Sequence, residues 1–205
     1  MISSEDEIHR IVKQVVSRTL GERQQPAAMP SPKPMSAQPV TGVPASIPPS
    51  PEKKIVAIGT DHGGLELKET LKTSLVEMGH EVIDCGTHTR DAVDYPDYAA
   101  AVARLVASGK AWRGVMIDGA GIGSCMAANK IKGVRAAMCY DYATAVNSRE
   151  HNDANVLTLG AGLIGVNQAK LILKTWLATE FGGGRHAGRV NKIMALESGE
   201  MKDGK

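Results

Sequence analysis

Apolar and polar positions divide the chain into three stretches. Between residues 3 and 20, Ile8, Ile11, Val12, Val15 and Val16 fall at i, i+3, i+4, i+7 and i+8. That single apolar stripe predicts a short amphipathic helix. Ser4 and Glu7 form a capping-box pattern, Glu5 and Asp6 suit the positive helix start, and Gly21 can end it. Residues 22–53 hold nine of the ten prolines, with Ala, Ser, Gln and Gly and almost no large apolar side chain. Such a stretch cannot bury a core and predicts a disordered, semi-extended tether. From residue 54 the pattern becomes short apolar runs alternating with helical spacing. Strands are predicted over 55–59, 81–84, 114–117, 134–139 and 155–159. Helices are predicted over 65–78, 98–107, 124–131, 142–149 and 168–179, with a final one after Gly184. This alternation implies an α/β domain over 54–205, built on a five-stranded parallel sheet with helices on both faces, a three-layer αβα arrangement.

Parallel sheets of this kind collect ligands at the carboxyl ends of their strands. Asp61 and His62 follow the first strand, Asp118 ends the third, and Tyr140 and Asp141 follow the fourth. Directly after Asp118 stand Gly119, Gly121 and Gly123, and then a helical segment. A turn of that kind exposes N–H groups where anions settle. A carboxylate beside it is what proton abstraction next to a carbonyl requires. The turn lacks the last glycine of G-x-G-x-x-G and follows the third strand, and no G-x-x-x-x-G-K-[ST] exists, so nucleotide binding is disfavoured. Arg185 and Arg189 lie four apart on one face of the last helix, a spacing that suits a phosphate or a solvated basic face.

Composition narrows the classes. A formal net charge of +2 and 3% aromatic residues argue against a nucleic-acid partner. Cys85, Cys125 and Cys139 are odd in number and lack C-x-x-C spacing, so neither a disulfide framework nor a zinc site is expected. No apolar run approaches the ~18 residues of a membrane span, and the N-terminus lacks the pattern of a secretory signal. A cytoplasmic protein with no membrane partner is the expectation.

Five motifs occur in order: Gly59-Thr-Asp61-His62, Asp94-Tyr95-Pro96, the 119–130 loop ending Ala-Ala-Asn-Lys, Glu150-His151-Asn152-Asp153-Ala-Asn155 and Gly184-Arg185-His186-x-x-Arg189. With them, the stretch of about 54–197 resembles the type B ribose-5-phosphate isomerases, in the family that also contains galactose-6-phosphate isomerase subunits. The resemblance implies a Rossmann-like fold and cofactor-free, metal-free aldose–ketose isomerisation of a sugar phosphate. It also implies a homodimer, or a tetramer of paired dimers, with active sites at the subunit interface. By position it implies that Asp61 contacts a sugar hydroxyl and His62 lies near the phosphate. His151 would help open the ring, Asn152 would hold sugar oxygens, and Arg185, His186 and Arg189 would bind phosphate. Tyr95 either lines the site or is an ordinary packed tyrosine.

This chain departs from that family where chemistry is concentrated. Many relatives have a cysteine base at the position of Asp118; others use a glutamate at that of Ser124. Asp118 is therefore the expected base, with N–H groups of Gly119, Gly121 and Gly123 holding the enediolate. Relatives carry Thr or Ser at Ala120, and many have a phosphate arginine at Gly162. A weak or silent sugar-phosphate binder is the alternative these positions raise. The tethered helix resembles the encapsulation peptides that load enzymes into bacterial microcompartments. That resemblance implies shell or cargo proteins as partners of residues 3–20 and a microcompartment lumen as the location. A cargo or scaffold role through this helix is a further reading, as is self-association.

Overall fold

Alternate residues of the central strands face opposite layers, and this builds two cores. The computed structural model describes residues 54–199 together with Arg10 and Lys13, which are helical and exposed. The remainder of the helix expected over 3–20 and the linker over 22–53 lie outside the described residues. Strands β1 (Ile55–Thr60), β2 (Glu81–Asp84), β3 (Arg113–Asp118), β4 (Ala136–Met138) and β5 (Val156–Gly160) form one parallel sheet in the order β2-β1-β3-β5-β4. Val56, Ile58, Val115, Ile117, Leu157 and Leu159 point to one side. There they meet α1 (Leu65–Glu77), α4 (Tyr142–Glu150) and α5 (Val166–Ala178) through Leu71, Leu75, Ala145, Leu173 and Trp176. Ala57, Met116 and Val156 point to the other side, against α2 (Tyr95–Ala107) and α3 (Ile122–Ala128) through Ala99, Val102, Ala103 and Ala128. The expected αβα arrangement is thus present. A last helix, α6 (Arg185–Ser198), follows Gly184.

Helix boundaries moved where turn chemistry overrode periodicity. Helix α2 starts at Tyr95 rather than 98, because Pro96 sits in its first turn, where a missing N–H leaves no hydrogen bond unmade. Helix α3 starts at Ile122 rather than 124, directly after Gly121 in the left-handed region at φ +77°. A Cβ on Gly121 would lie 2.9 Å from the Leu159 carbonyl carbon, so both conformation and space demand glycine there. Strand β4 is shorter than expected. Its edge is covered by the Asn129 side chain, whose Oδ1 accepts from Ala136 N–H at 2.8 Å and whose Nδ2 donates to Ala136 O at 2.9 Å. Asp141, which position alone had placed among the site candidates, is a helix cap: with Thr144 it forms the capping box of α4.

The strand order places the topological switch between β1 and β3. The chain runs outward from β1 to β2 on one side and to β3 on the other, which opens a crevice above their carboxyl ends. No helix among the described residues is long and apolar enough to cross a membrane.

Candidate active site

Asp61 and Asp118 both stand at the switch point. Asp61 is buried, and its Oδ1 accepts from Gly63 N–H at 2.9 Å, capping the 3-10 turn His62–Gly64. His62 is exposed, and its Nδ1 accepts from Val93 N–H at 3.2 Å. A backbone N–H can only donate, so the ring proton of His62 sits on Nε2.

Asp118 is 5% exposed and occupied on all sides. Its Oδ1 accepts from Ala120 N–H at 2.8 Å and from Gly121 N–H. Its Oδ2 accepts from Ser124 N–H at 3.1 Å and from the Ser124 hydroxyl. A carboxylate has about four lone-pair sites, so these four donors fill it. One expectation needs correction here. The Asp118 carboxylate is the pin that folds the glycine loop. The N–H of Gly121 is spent on that pin and cannot face a substrate. Gly121 is also locked from behind, its carbonyl accepting from the buried Thr158 hydroxyl at 2.9 Å. Among the described residues, the N–H groups of Gly119, Ile122 and Gly123 have no acceptor. The loop therefore keeps three N–H groups without an acceptor among the described residues, but not the alternating set that the glycine spacing suggests.

Two neighbours of this loop were not assigned from spacing. Ser124 is fully buried, and the signal for it was only its place one turn into the helix. The Tyr95 ring stands over Gly123 so closely that a Cβ there would come within 2.5 Å of the phenol carbon. At Gly162, a Cβ would lie 3.0 Å from Gly119 O, so a side chain there would press on the loop.

A second group gathers at the ends of α4 and α6. The His151 and His186 rings stack at 4.1 Å between centroids and 5° between planes. His151 Nδ1 lies 2.9 Å from Asn147 Nδ2, and Asn152 Nδ2 donates to Asn147 O and Oδ1 at 3.2 Å each. Burial of the stacked ring, reinforced by His151, Arg185 and Arg189, holds the His186 imidazole below the usual histidine range. Arg185 and Arg189 are exposed, one turn apart on α6, and form no ion pair among the described residues. Among the described residues, no hydrogen bond or ring contact joins this group to the Asp118 loop.

A cavity of about 610 Å³ lies beside the second group, lined by Asn129, Arg135, Met138, Asn147, Asn152 and Ile193. A smaller one of about 380 Å³ opens by His62. The Cys139 and Cys85 thiols are poor nucleophiles: burial pushes Cys139 up to about 11 and also raises Cys85. Glu69, Asp84 and His88 bring ligand atoms within 4.8 Å of one another, but the Lys68 and Lys72 ammonium groups already occupy both carboxylates.

The Ribose/Galactose Isomerase family model matches residues 56–193. Ribose-5-phosphate isomerase B of Escherichia coli (strain K12) is 46% identical over 144 residues, covering 70% of this chain and 97% of that protein. Among solved structures, ribose-5-phosphate isomerase B of Clostridium thermocellum aligns with a TM-score of 0.70 at 49% identity, over 72% of this chain and 99% of that one. The type B enzyme of Trypanosoma brucei gives 0.69 at 44% identity, over 70% and 99%. A family model that spans nearly the whole described domain, and relatives matched almost end to end, place the chain in the ribose/galactose isomerase family.

Proposed function

We propose that this protein interconverts an aldose phosphate and a ketose phosphate, with ribose 5-phosphate and ribulose 5-phosphate as the leading pair. The observation that carries the reading is a buried carboxylate at the β1–β3 switch point, beside N–H groups without acceptors, in a chain of this family. Asp118 is the base. Of its four donors, only the Ser124 hydroxyl can turn away by rotation about one bond, which frees a lone pair on Oδ2. Asp118 then takes the proton from C2 while the C1 carbonyl oxygen becomes the enediolate oxygen. The N–H groups of Gly119, Ile122 and Gly123 stabilise that charge. The proton returns to C1, the O2 hydroxyl proton passes to O1, and a ketone is left at C2. His151 assists ring opening, Asp61 and Asn152 hold sugar hydroxyls, and His62, Arg185, His186 and Arg189 serve the phosphate.

Both groups reach one substrate when two copies of the chain associate, so the working unit is a homodimer with sites shared between subunits. The exposed Ile122 and Met126 beside the loop supply apolar surface for that contact. A mixture of Asp118→Asn and His151→Ala chains tests the sharing. Each variant alone is inactive, and hybrids regain turnover at one site; no regain means that each chain carries a whole site. A coupled assay over a panel of sugar phosphates, run beside calorimetric titration, tests the reaction itself. Binding without turnover favours the second reading, a silent sugar-phosphate binder, which the fully occupied Asp118 carboxylate supports.

The N-terminal segment is a docking peptide for a microcompartment shell or its cargo. Its stripe of Ile and Val supports this, as does the Pro-rich stretch 22–53 that separates it in sequence from β1. Deleting residues 1–22 leaves turnover unchanged and abolishes co-sedimentation with shells; continued loading would refute the assignment.

A further inference from the structure

The smaller cavity, about 380 Å³, belongs to the Asp118 side of the molecule. Gly63 in its wall lies against the glycine loop: a Cβ on Gly63 would be 3.6 Å from Gly119 N. The remaining wall brings His62, Glu66 and Arg90 from one side and Ala161 and Ile164 from the other. Arg90 is the one guanidinium or ammonium in that lining. It is paired with Glu66, and the two side chains are 79% and 80% exposed. An ion pair so exposed contributes little to stability, because water competes for both partners.

The loop that carries Arg90 is braced. The fully buried Lys68 donates to both oxygens of Asp84, at 3.0 and 2.9 Å, and to Thr87 O at 3.1 Å. Thr87 N–H donates to Thr60 O at 3.1 Å, tying the loop to the end of β1. Three residues past Arg90, Val93 N–H holds His62 Nδ1, which leaves the His62 Nε2–H as its second polar group. A planar guanidinium and an imidazole N–H thus share one cavity, both supported from a stiff loop, while the 161–164 wall offers no cation. A phosphate monoester near pH 7 carries about −1.5 to −2 charge and three acceptor oxygens, against −1 on the Glu66 carboxylate. It outcompetes Glu66 for the fork of Arg90 donors.

We propose that Arg90 binds the substrate phosphate together with His62, and that Glu66 holds Arg90 in reserve until the phosphate displaces it. This assignment rests on the sugar-phosphate isomerase reading. It adds a specificity residue from the same chain as Asp118 to the arginines of α6.

Arg90→Met and Glu66→Gln, made in the full-length chain, test it through their opposite effects. Both remove the same ion pair, so a merely structural pair would move every parameter in the same direction in both variants. A phosphate ligand and its competitor move them apart. Arg90→Met raises KM for ribose 5-phosphate on the order of tenfold, the usual effect of losing a charged hydrogen bond, with little change in kcat. Glu66→Gln lowers KM. Calorimetric titration with inorganic phosphate follows the same order of affinity: Glu66→Gln tightest, wild type next, Arg90→Met weakest. Shifts in the same direction, or no shift in either variant, overturn the proposal. If wild type turns over no sugar phosphate, the isomerase reading fails, and the inorganic phosphate series alone still decides the role of Arg90.

Discussion

Asp118→Asn is usually a gentle change, yet this fold makes it a test of architecture as well as chemistry. Asparagine keeps one carbonyl oxygen and puts an NH₂ where the second carboxylate oxygen stood. With the carbonyl toward Ala120 and Gly121, their N–H groups retain an acceptor but lose charge assistance. The amide nitrogen then faces Ser124, whose hydroxyl can turn to accept but whose N–H cannot. One buried N–H left without an acceptor costs about 1–3 kcal/mol, and two charge-assisted bonds fall to roughly half strength. The flipped amide is worse, because it orphans the N–H groups of Ala120 and Gly121 instead. A loss of about 2–4 kcal/mol follows, against a typical total of about 5–15 for a domain. The variant therefore folds, with Tm lowered by roughly 4–16 °C. Urea unfolding followed by tryptophan fluorescence, together with calorimetry, measures this. Turnover should vanish while phosphate-ester binding persists. Ser124→Ala is the companion: Oδ2 keeps the Ser124 N–H, so no group is orphaned, and turnover continues. A loss below about 0.5 kcal/mol in Asp118→Asn would show that the carboxylate does not pin the loop. Unchanged turnover would remove it as the base.

Other perturbations reach different parts of the structure. Lys68→Met breaks a buried ion pair, with an expected loss of about 3 kcal/mol, the low end for such pairs because Asp84 keeps Lys72 and the Gly86 N–H. Burial opposes ionisation of Asp84, but Lys72, Lys68 and Gly86 outweigh it and hold the carboxyl below its usual range. The sign follows: this stabilisation is complete above the unfolded carboxylate pKa of about 3.9 and is lost as pH falls through the lower folded value. The gap between wild type and Lys68→Met should therefore narrow only in strong acid, and a gap unchanged down to about pH 2 would contradict the ion-pair account. For His186, an NMR titration should give a midpoint below the ordinary value of about 6.5. Arg189→Gln should move it upward, because a repelling cation is gone; an unmoved midpoint would remove Arg189 from the causes of the shift.

Periodicity sufficed for the centre of the sheet because β1, β3 and β5 are buried on both faces, and their Val, Ile, Leu and Met runs have no other stable place. It also placed Asp61 and Asp118 at strand ends, which the strand order then made neighbours across β1 and β3. What it could not show was direction. Nothing in Asp118-Gly-Ala-Gly reveals that the carboxylate turns back onto Ala120, Gly121 and Ser124, since that depends on the left-handed Gly121 and on Thr158 from a distant strand. Arg90 and Glu66 were invisible for a similar reason: they are 24 residues apart and meet only because Lys68 braces the intervening loop. His151 and His186 are farther apart still, and only the return of Gly182 N–H to Glu150 O at 2.9 Å brings their rings together.

The Asn129 amide at the edge of β4 limits how two copies can meet. A bare edge strand invites another chain to extend the sheet by main-chain pairing. Here a single side chain imitates a neighbouring strand, satisfying both the N–H and the carbonyl of Ala136. With only three residues in β4, little backbone remains for a foreign strand to read. Growth of the sheet through that edge is thereby blocked, and a second chain arriving there meets side chains rather than bare backbone. Asn129→Ala would unmask the edge, and the expected sign is aggregation rather than loss of turnover.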